Sequence, residues 1–245
     1  MNQDESYMKD FMTVFQELER WGPGNKQESL HAFSLVPITP QHILEIGCGK
    51  GLTTLALAKA SHSQITAVDN EPDALQSLNA ALISKGLTKQ VNTVCASMTD
   101  LPFPQESFDV IWAEGCAYIM GVQNAIKEWR ALLQPGGVMV LSDLVWLSST
   151  PDQQSKDFFS SEYPDMQSVA TRIDQFNREN FDVLHHFSLS EQAWENYYQP
   201  LKQRAVALTA VMPCSQALKD ILSEVELYEQ HLGEFGYQMF IVQKR

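Results

Sequence analysis

The 245-residue chain has only four cysteines, Cys48, Cys95, Cys116 and Cys214. No two form a CxxC pair, and the adjacent His185 and His186 have no cysteine nearby. Neither a structural zinc cluster nor a disulfide framework fits that spacing, so no metal is expected. Basic side chains are also scarce, with 17 Lys and Arg against 30 Asp and Glu, a formal net charge of −13. That field repels phosphate backbones and argues against a nucleic-acid partner; its plainest effect is solubility. Long apolar runs are missing. The best candidate, Ala205 to Cys214, falls short of the roughly 20 residues that cross a bilayer and is interrupted by Pro213. The first ten residues are polar and acidic, without the basic-then-apolar pattern of a signal peptide. The expectation is a cytoplasmic protein with reduced thiols and no membrane partner. There is no internal repeat and no low-complexity linker, so one domain over residues 1–245 is expected.

What is present is an ordinary globular composition, 44% hydrophobic and 19% charged. From residue 42 to 145, strand-like and helix-like runs alternate. His42 to Ile46, Gln64 to Val68, Val91 to Cys95, Phe108 to Ala113 and Val138 to Leu144 read as strands. Leu52 to Ala60, Glu71 to Lys85 (with Gly86 as C-cap) and Val122 to Leu133 read as helices, the last stopped by Pro135-Gly136-Gly137. Such alternation predicts an α/β fold, a doubly wound, mostly parallel sheet covered on both faces, with ligands at the carboxyl ends of the strands. Outside this core, Tyr7 to Trp21 and Gln27 to Leu35 read as helices. Asp152 to Glu179 is helical with a break at Pro164, and Phe181 to Ser188 is a strand. Glu191 to Leu232 reads as two helices parted by Pro213, and Gly236 to Gln243 as a last strand. The core is then about 40–145 plus 181–190 and 236–245. The helices at about 5–36 and 191–232 are expected to form a lid.

The chemistry concentrates in Glu45-Ile46-Gly47-Cys48-Gly49-Lys50-Gly51, between a strand and a helix. Glycines let the backbone turn sharply and approach a ligand, and the helix start offers free N–H groups to an anionic group. Asp69 ends the next strand, where an acid can accept from both ribose hydroxyls. Strand, GxGxG, helix, strand and acid in this order point to a nucleotide cofactor. The dinucleotide fingerprint would place its third small residue at Leu52, whose bulk opposes the close helix–strand packing that fingerprint needs. An NAD-dependent oxidoreductase is therefore the lesser reading.

The run ILEIGCGKG resembles motif I of class I S-adenosylmethionine (SAM) dependent methyltransferases, and AVDNEP resembles their second motif. ASMTDLPFPQESFDVIWAEG is similar to the third and fourth, and LLQPGGVMVLSD to the stretch leading into the fifth strand. The closing GYQMFIVQKR fits their antiparallel last strand, which implies a seven-stranded, Rossmann-like methyltransferase sheet. Within the family the chain resembles the small-molecule "type 11" branch. The resemblance implies SAM as cofactor, S-adenosylhomocysteine as product, and a small-molecule acceptor. Gly47, Gly49 and Gly51 would line the methionine portion, with the backbone near Cys48. Glu45 would orient the loop and help hold the amino group, and the carbonyl of Glu114 would face that group. Asp69 would bind the ribose, and Asn70 would lie against the adenine. Ser97 stands where the family usually has an acid near the adenine, beside Met98, whose N–H remains available. Lys50 replaces a more usual threonine and receives no role.

A sulfonium methyl needs an in-line nucleophile, and a base only where the acceptor must lose a proton. Glu114 and Tyr118, after the fourth strand, are the candidate catalytic groups. Trp21, Tyr118, Trp146, Trp194, Tyr197 and Tyr198 are the candidate walls of the acceptor pocket, although an aromatic at helical spacing is most often core. His185 and His186 alternate on a strand, so one should face in and one out. No Asn/Asp-Pro-Pro-Tyr-like motif follows the fourth strand, which opposes a nucleic-acid methyltransferase. A SAM-binding protein without turnover, and a homodimer, both stay open.

Overall fold

The structure, a computed structural model, describes residues 3–245, with side chains from residue 5. Its elements, in chain order, are α1 (Gln3–Phe15), α2 (Lys26–Ser34), β1 (His42–Ile46), α3 (Leu52–Ala60), β2 (Gln64–Asp69), α4 (Pro72–Lys85), β3 (Val91–Cys95) and β4 (Phe108–Glu114). A 3-10 turn at Ala117–Met120 leads into α5 (Val122–Arg130) and β5 (Leu133–Trp146). There follow α6 (Gln153–Glu162), β6 (Gln167–Ser168), α7 (Val169–Arg178), β7 (Phe181–Ser188), α8 (Glu191–Thr209), α9 (Gln216–His231) and β8 (Phe235–Lys244).

The sheet runs β3-β2-β1-β4-β5-β8-β7, with the two-residue β6 pairing beside β5. Strands β1 to β5 are parallel, and β8 inserts antiparallel between β5 and β7. The central strands are buried on both faces, as helix-covered parallel strands must be: Ile43 to Ile46 and Val110 to Ala113 are all nearly inaccessible. Fully burying side chains of this size is worth about 1.5–3 kcal/mol each, which fixes the strand order against slippage. Helix α4 shows how local signals agree with that packing. Pro72 starts it, Leu75, Leu78 and Leu82 face the core, and Gly86 closes it with φ 67°.

Four expectations change. Pro135-Gly136-Gly137 does not stop α5, which ends at Arg130; it lies inside the long β5, where the register against β4 shifts between Phe108 and Val110. The first helix spans Gln3–Phe15 and ends before Trp21. The 152–179 segment is two helices joined through β6, so the chain touches the sheet between them. His185 and His186 do not alternate in and out. The β7–β8 register shifts between Val183 and His185, both histidines are exposed, and β7 is the edge strand. Among the described residues no helix is long and apolar enough to cross a membrane.

Candidate active site at the carboxyl ends of the strands

The loop after β1 is held by β2. The N–H groups of Gly47 and Cys48 both donate to the carbonyl of Val68, at 2.9 and 3.0 Å. The Gly49 N–H donates to Asp69 Oδ2 at 2.7 Å, and the Glu71 N–H to Asp69 Oδ1 at 3.0 Å. Asp69 therefore fixes the loop and still has a free lone pair on each oxygen for a ligand diol. The three glycines differ in use, though all have positive φ. A side chain at Gly47 would press on Cys116, and one at Gly51 would collide with Leu78 of α4. One at Gly49 would meet no protein atom within 4 Å, so its open side is the space a ligand would fill.

Beneath the loop lies Glu45, 3% exposed. Burial pushes its carboxyl up to about 8, tempered by nearby Thr54; the charges of Glu114 and Asp69 raise it further, and that of Arg20 lowers it. Its Oε2 has no hydrogen-bond partner and is sealed from bulk solvent. Glu114, at the end of β4, has its Oε1 filled by the Trp112 indole (2.8 Å) and the Ser29 hydroxyl (2.7 Å). Arg20 approaches its Oε2 at 3.5 Å, while the Nε of Arg20 is buried and unpartnered. A cavity of about 490 Å³ lies beside Arg20, between the 17–27 segment, the start of α3 and α8. Arg20, Asn25, Leu52, Thr53, Tyr197 and Pro200 line it. Helix α3 has no side-chain N-cap, so its first-turn amides add partial positive charge to this end of the cavity. An unpaired carboxylate oxygen, an unpaired guanidinium N–H and an open glycine together suit a zwitterionic amino-acid group attached to a nucleoside.

Two of these residues escaped sequence reasoning. Arg20 lies in a segment read only as helix end, and nothing local marks it as facing Glu114. Lys50 clips the loop to the N-terminal segment, donating to the carbonyls of Gln16 (2.5 Å) and Leu18 (2.7 Å). Those acceptors lie over 30 residues upstream, so no local pattern shows them. Past the ends of β2 and β3, Asn70 and Ser97 are exposed. Ser97 turns its hydroxyl to Thr99, and the carbonyl of Met98 accepts from the Trp129 indole at 3.2 Å.

The aromatic residues divide. Trp146 packs edge-on to Phe159, with a second cavity of about 410 Å³ alongside. Trp21 donates to the Phe15 carbonyl and sits edge-on to its ring. Trp194 is 2% exposed, stacked on Tyr198 and Tyr228. Tyr118 is 44% exposed and leans on Tyr163 at 5.5 Å. Tyr237 of β8, not foreseen from sequence, faces Gly115 just past β4 and touches Trp194. Burial raises the hydroxyl pKa of Tyr118, Tyr197 and Tyr237, so none is a ready base near neutrality.

A glycine loop on an acid-capped β2, with the sheet order and antiparallel β8, defines a nucleotide-cofactor domain of the doubly wound type. Residues 43–137 match the methyltransferase-domain family model. The (+)-O-methylkolavelool synthase of Herpetosiphon aurantiacus is 24% identical over 216 residues, 85% of this chain and 76% of that protein. The O-methyltransferase cnsE of Penicillium expansum is 27% identical over 156 residues, 59% of this chain and 56% of that one. A Geobacter sulfurreducens SAM-dependent methyltransferase, solved with S-adenosylhomocysteine, superposes with a TM-score of 0.81 at 16% identity, over 97% of this chain and 98% of that one. The [4+2]-cyclase SpnF superposes with a TM-score of 0.78 at 18% identity, over 99% and 94%. At those identities the structural likeness is one of fold, and the sequence likeness to the methyltransferase domain lies in residues 43–137. Over residues 43–137 the chain is thus similar to the methyltransferase domain, and its fold is that of solved SAM-dependent methyltransferases.

Proposed function

We infer that the chain transfers the methyl group of SAM to a small-molecule acceptor in the cleft between the glycine loop and helices α8 and α9. The observation that carries this reading is the sealed, unpartnered Oε2 of Glu45 under an open Gly49, with Asp69 already oriented by two amides. A buried polar atom left unpaired costs about 1–3 kcal/mol, so such a site fits a ligand that pays that cost. When bound, SAM supplies an electrophilic methyl on a sulfonium sulfur. Asp69 accepts from the ribose hydroxyls, Glu45 and Glu114 hold the ammonium, and Arg20 with the α3 amides holds the carboxylate. Lys50 keeps the 16–18 segment over the loop and so helps to exclude water. Glu114 is given this holding role rather than that of base, because three donors already surround its carboxylate. Asn70, Ser97 and Met98 flank the adenine edge.

The acceptor side is walled by Tyr118, Tyr197 and Tyr237, with Trp194 and Tyr198 behind them. The relatives named as O-methyltransferases favour a small organic acceptor. The test is transfer of isotope-labelled methyl to pooled small metabolites, read by mass spectrometry. A labelled product supports the reading. Tight SAM binding without any labelled product overturns it in favour of other chemistry on this fold, as in the [4+2]-cyclase.

A further inference from the structure

We propose that the tyrosine-walled side of the cleft is a site for an organic cation, a small amine whose charge is met by the carboxylate of Glu224. The proposal rests on the methyl-transfer reading above and names the acceptor class of the same site.

Glu224 lies on α9 and was not singled out by any motif. A continuous run of contacts leads to it from the glycine loop. Cys116 abuts Gly47, and its thiol donates to the Ile46 carbonyl at 3.2 Å. Gly115 faces the ring of Tyr237, which packs on Trp194 at 5.5 Å. Trp194 stacks on Tyr198 at 5.8 Å, and the Tyr198 hydroxyl donates to Glu224 Oε1 at 2.7 Å. Glu224 Oε2 has no partner among the described residues, and Glu224 keeps part of its surface accessible in this deep position. The hydroxyls of Tyr118, Tyr197 and Tyr237 also lack partners there, although Tyr197 is only 7% exposed. Tyr118, Tyr197 and Tyr237 thus gather several oxygen lone pairs around one carboxylate, each close enough for the Glu224 charge to raise its hydroxyl pKa.

That set suits a cation and repels an anion. A cation over tyrosine faces gains about 0.5–2 kcal/mol, more as water is excluded, and a net charge of −13 draws cations toward the protein. A neutral alcohol would satisfy the hydroxyls but leave Glu224 unpaired. An amine that arrives protonated must first release its proton to solvent; from the neutral amine the methyl transfer needs no further proton movement. The lone pair of a neutral amine forms the N–C bond as the C–S bond breaks, and that bond's electron pair stays on sulfur. The positive charge crosses from sulfur to nitrogen, and a fixed carboxylate on the nitrogen side stabilises its arrival. Burial and the charge of Glu162 on α6 raise the Glu224 carboxyl, and the Tyr198 hydrogen bond opposes them. The other titratable groups that feel its charge are Tyr118, Tyr197, Tyr237 and Tyr7.

The test is calorimetric titration of the full chain, saturated with S-adenosylhomocysteine, with choline and with choline's uncharged carbon isostere. Choline cannot accept a further methyl on nitrogen and mimics the product ammonium. Wild type should prefer choline by about tenfold. Glu224→Gln should bind the two alike while keeping its affinity for S-adenosylhomocysteine. Tyr198→Phe keeps the ring and loses the hydrogen bond, so its preference for choline should move to higher pH. Equal affinity for both probes in wild type, or an undiminished preference in Glu224→Gln, overturns the proposal. If Glu224→Gln does not fold, an unmoved pH dependence in Tyr198→Phe overturns it instead. Failure of wild type to bind S-adenosylhomocysteine overturns the methyl-transfer reading on which the proposal rests, and the cofactor titration tells that failure apart from a lost choline preference.

Discussion

Glu45 carries a carboxyl that burial holds at about 8, against 4.5 in an exposed chain. The folded state therefore binds this proton more tightly than the unfolded state does. Its contribution to stability is full below pH 4.5, declines as pH rises toward 8, and is gone above that. Glu45→Gln removes the ionisable group, so the variant should gain on wild type in thermal melts as pH rises from about 4.5 to 8, then hold that margin. A ligand ammonium acts the other way, because it favours the ionised carboxyl. Binding of S-adenosylhomocysteine below pH 8 should release protons, seen as a dependence of the calorimetric heat on the buffer's ionisation enthalpy. No such dependence would remove Glu45 from the ammonium site. The neighbouring glycines separate fold from binding. Gly51→Ala should cost about 1–3 kcal/mol through the clash with Leu78. Gly49→Ala should cost only about 1–2 kcal/mol for its positive φ, yet weaken S-adenosylhomocysteine binding more than Gly51→Ala does. Both are read by denaturant titration beside calorimetry. Gly47, Gly49, Gly51 and Asp69 were legible in sequence because their backbone demands are local. Arg20 and Glu224 were not, because a charged residue on a helix or connecting segment is ordinarily solvated, and only tertiary packing turns these two inward.

At the scale of elements, the core strands and helices from β1 to β4 were legible nearly residue by residue, since their apolar periods and caps agree with their packing, whereas the α5–β5 boundary was misplaced. The region after β5 was less so, and the reason is a buried polar network. Arg172 on α7 is fully buried; it donates to Asp143 at the end of β5 (2.7 Å), to Asp165 (3.1 Å), to Gln175 (2.8 Å) and to the Tyr163 hydroxyl (2.6 Å). Tyr163 donates in turn to Asp143 at 2.8 Å. A hydrophobic pattern contains no signal for an arginine in a core position. The network ties α6 and α7 to the sheet and sets the ring of Tyr163 against Tyr118, on the side proposed above for the acceptor. Arg172→Met should destabilise the protein by about 3–5 kcal/mol, because Asp143 is left buried and uncompensated. Adding Asp143→Asn should recover part of that loss, and a double-mutant cycle in denaturant measures it. Simple additivity of the two changes would mean that the pair is not coupled.

The whole molecule gathers its site from distant stretches of chain: the 16–20 segment, the β1–α3 loop, the ends of β2 and β4, α8, α9 and β8. A ligand that bridges these parts stabilises all of them together, since it binds the folded state alone. At 100 times its dissociation constant, S-adenosylhomocysteine should add about 2.7 kcal/mol. For a chain of this size that is a rise of roughly 5–10 °C in the melting temperature. NAD should produce no comparable rise, because Leu52 opens α3 where a dinucleotide would need a small residue, and the amino-acid site proposed at Arg20 and Glu45 has no counterpart in NAD. Hydrogen exchange gives the spatial form of the same prediction. Amides of 16–25 and of α8 should slow on S-adenosylhomocysteine binding along with those of the glycine loop, because Lys50 joins the loop to residues 16–18 and Gly24 joins the same 16–25 stretch to Ala193 and Asn196 of α8. Protection confined to the loop would mean that the N-terminal segment packs on the site without responding to its ligand. A rise with NAD and none with S-adenosylhomocysteine would return the chain to the dinucleotide-binding alternative that the sequence left as the lesser reading.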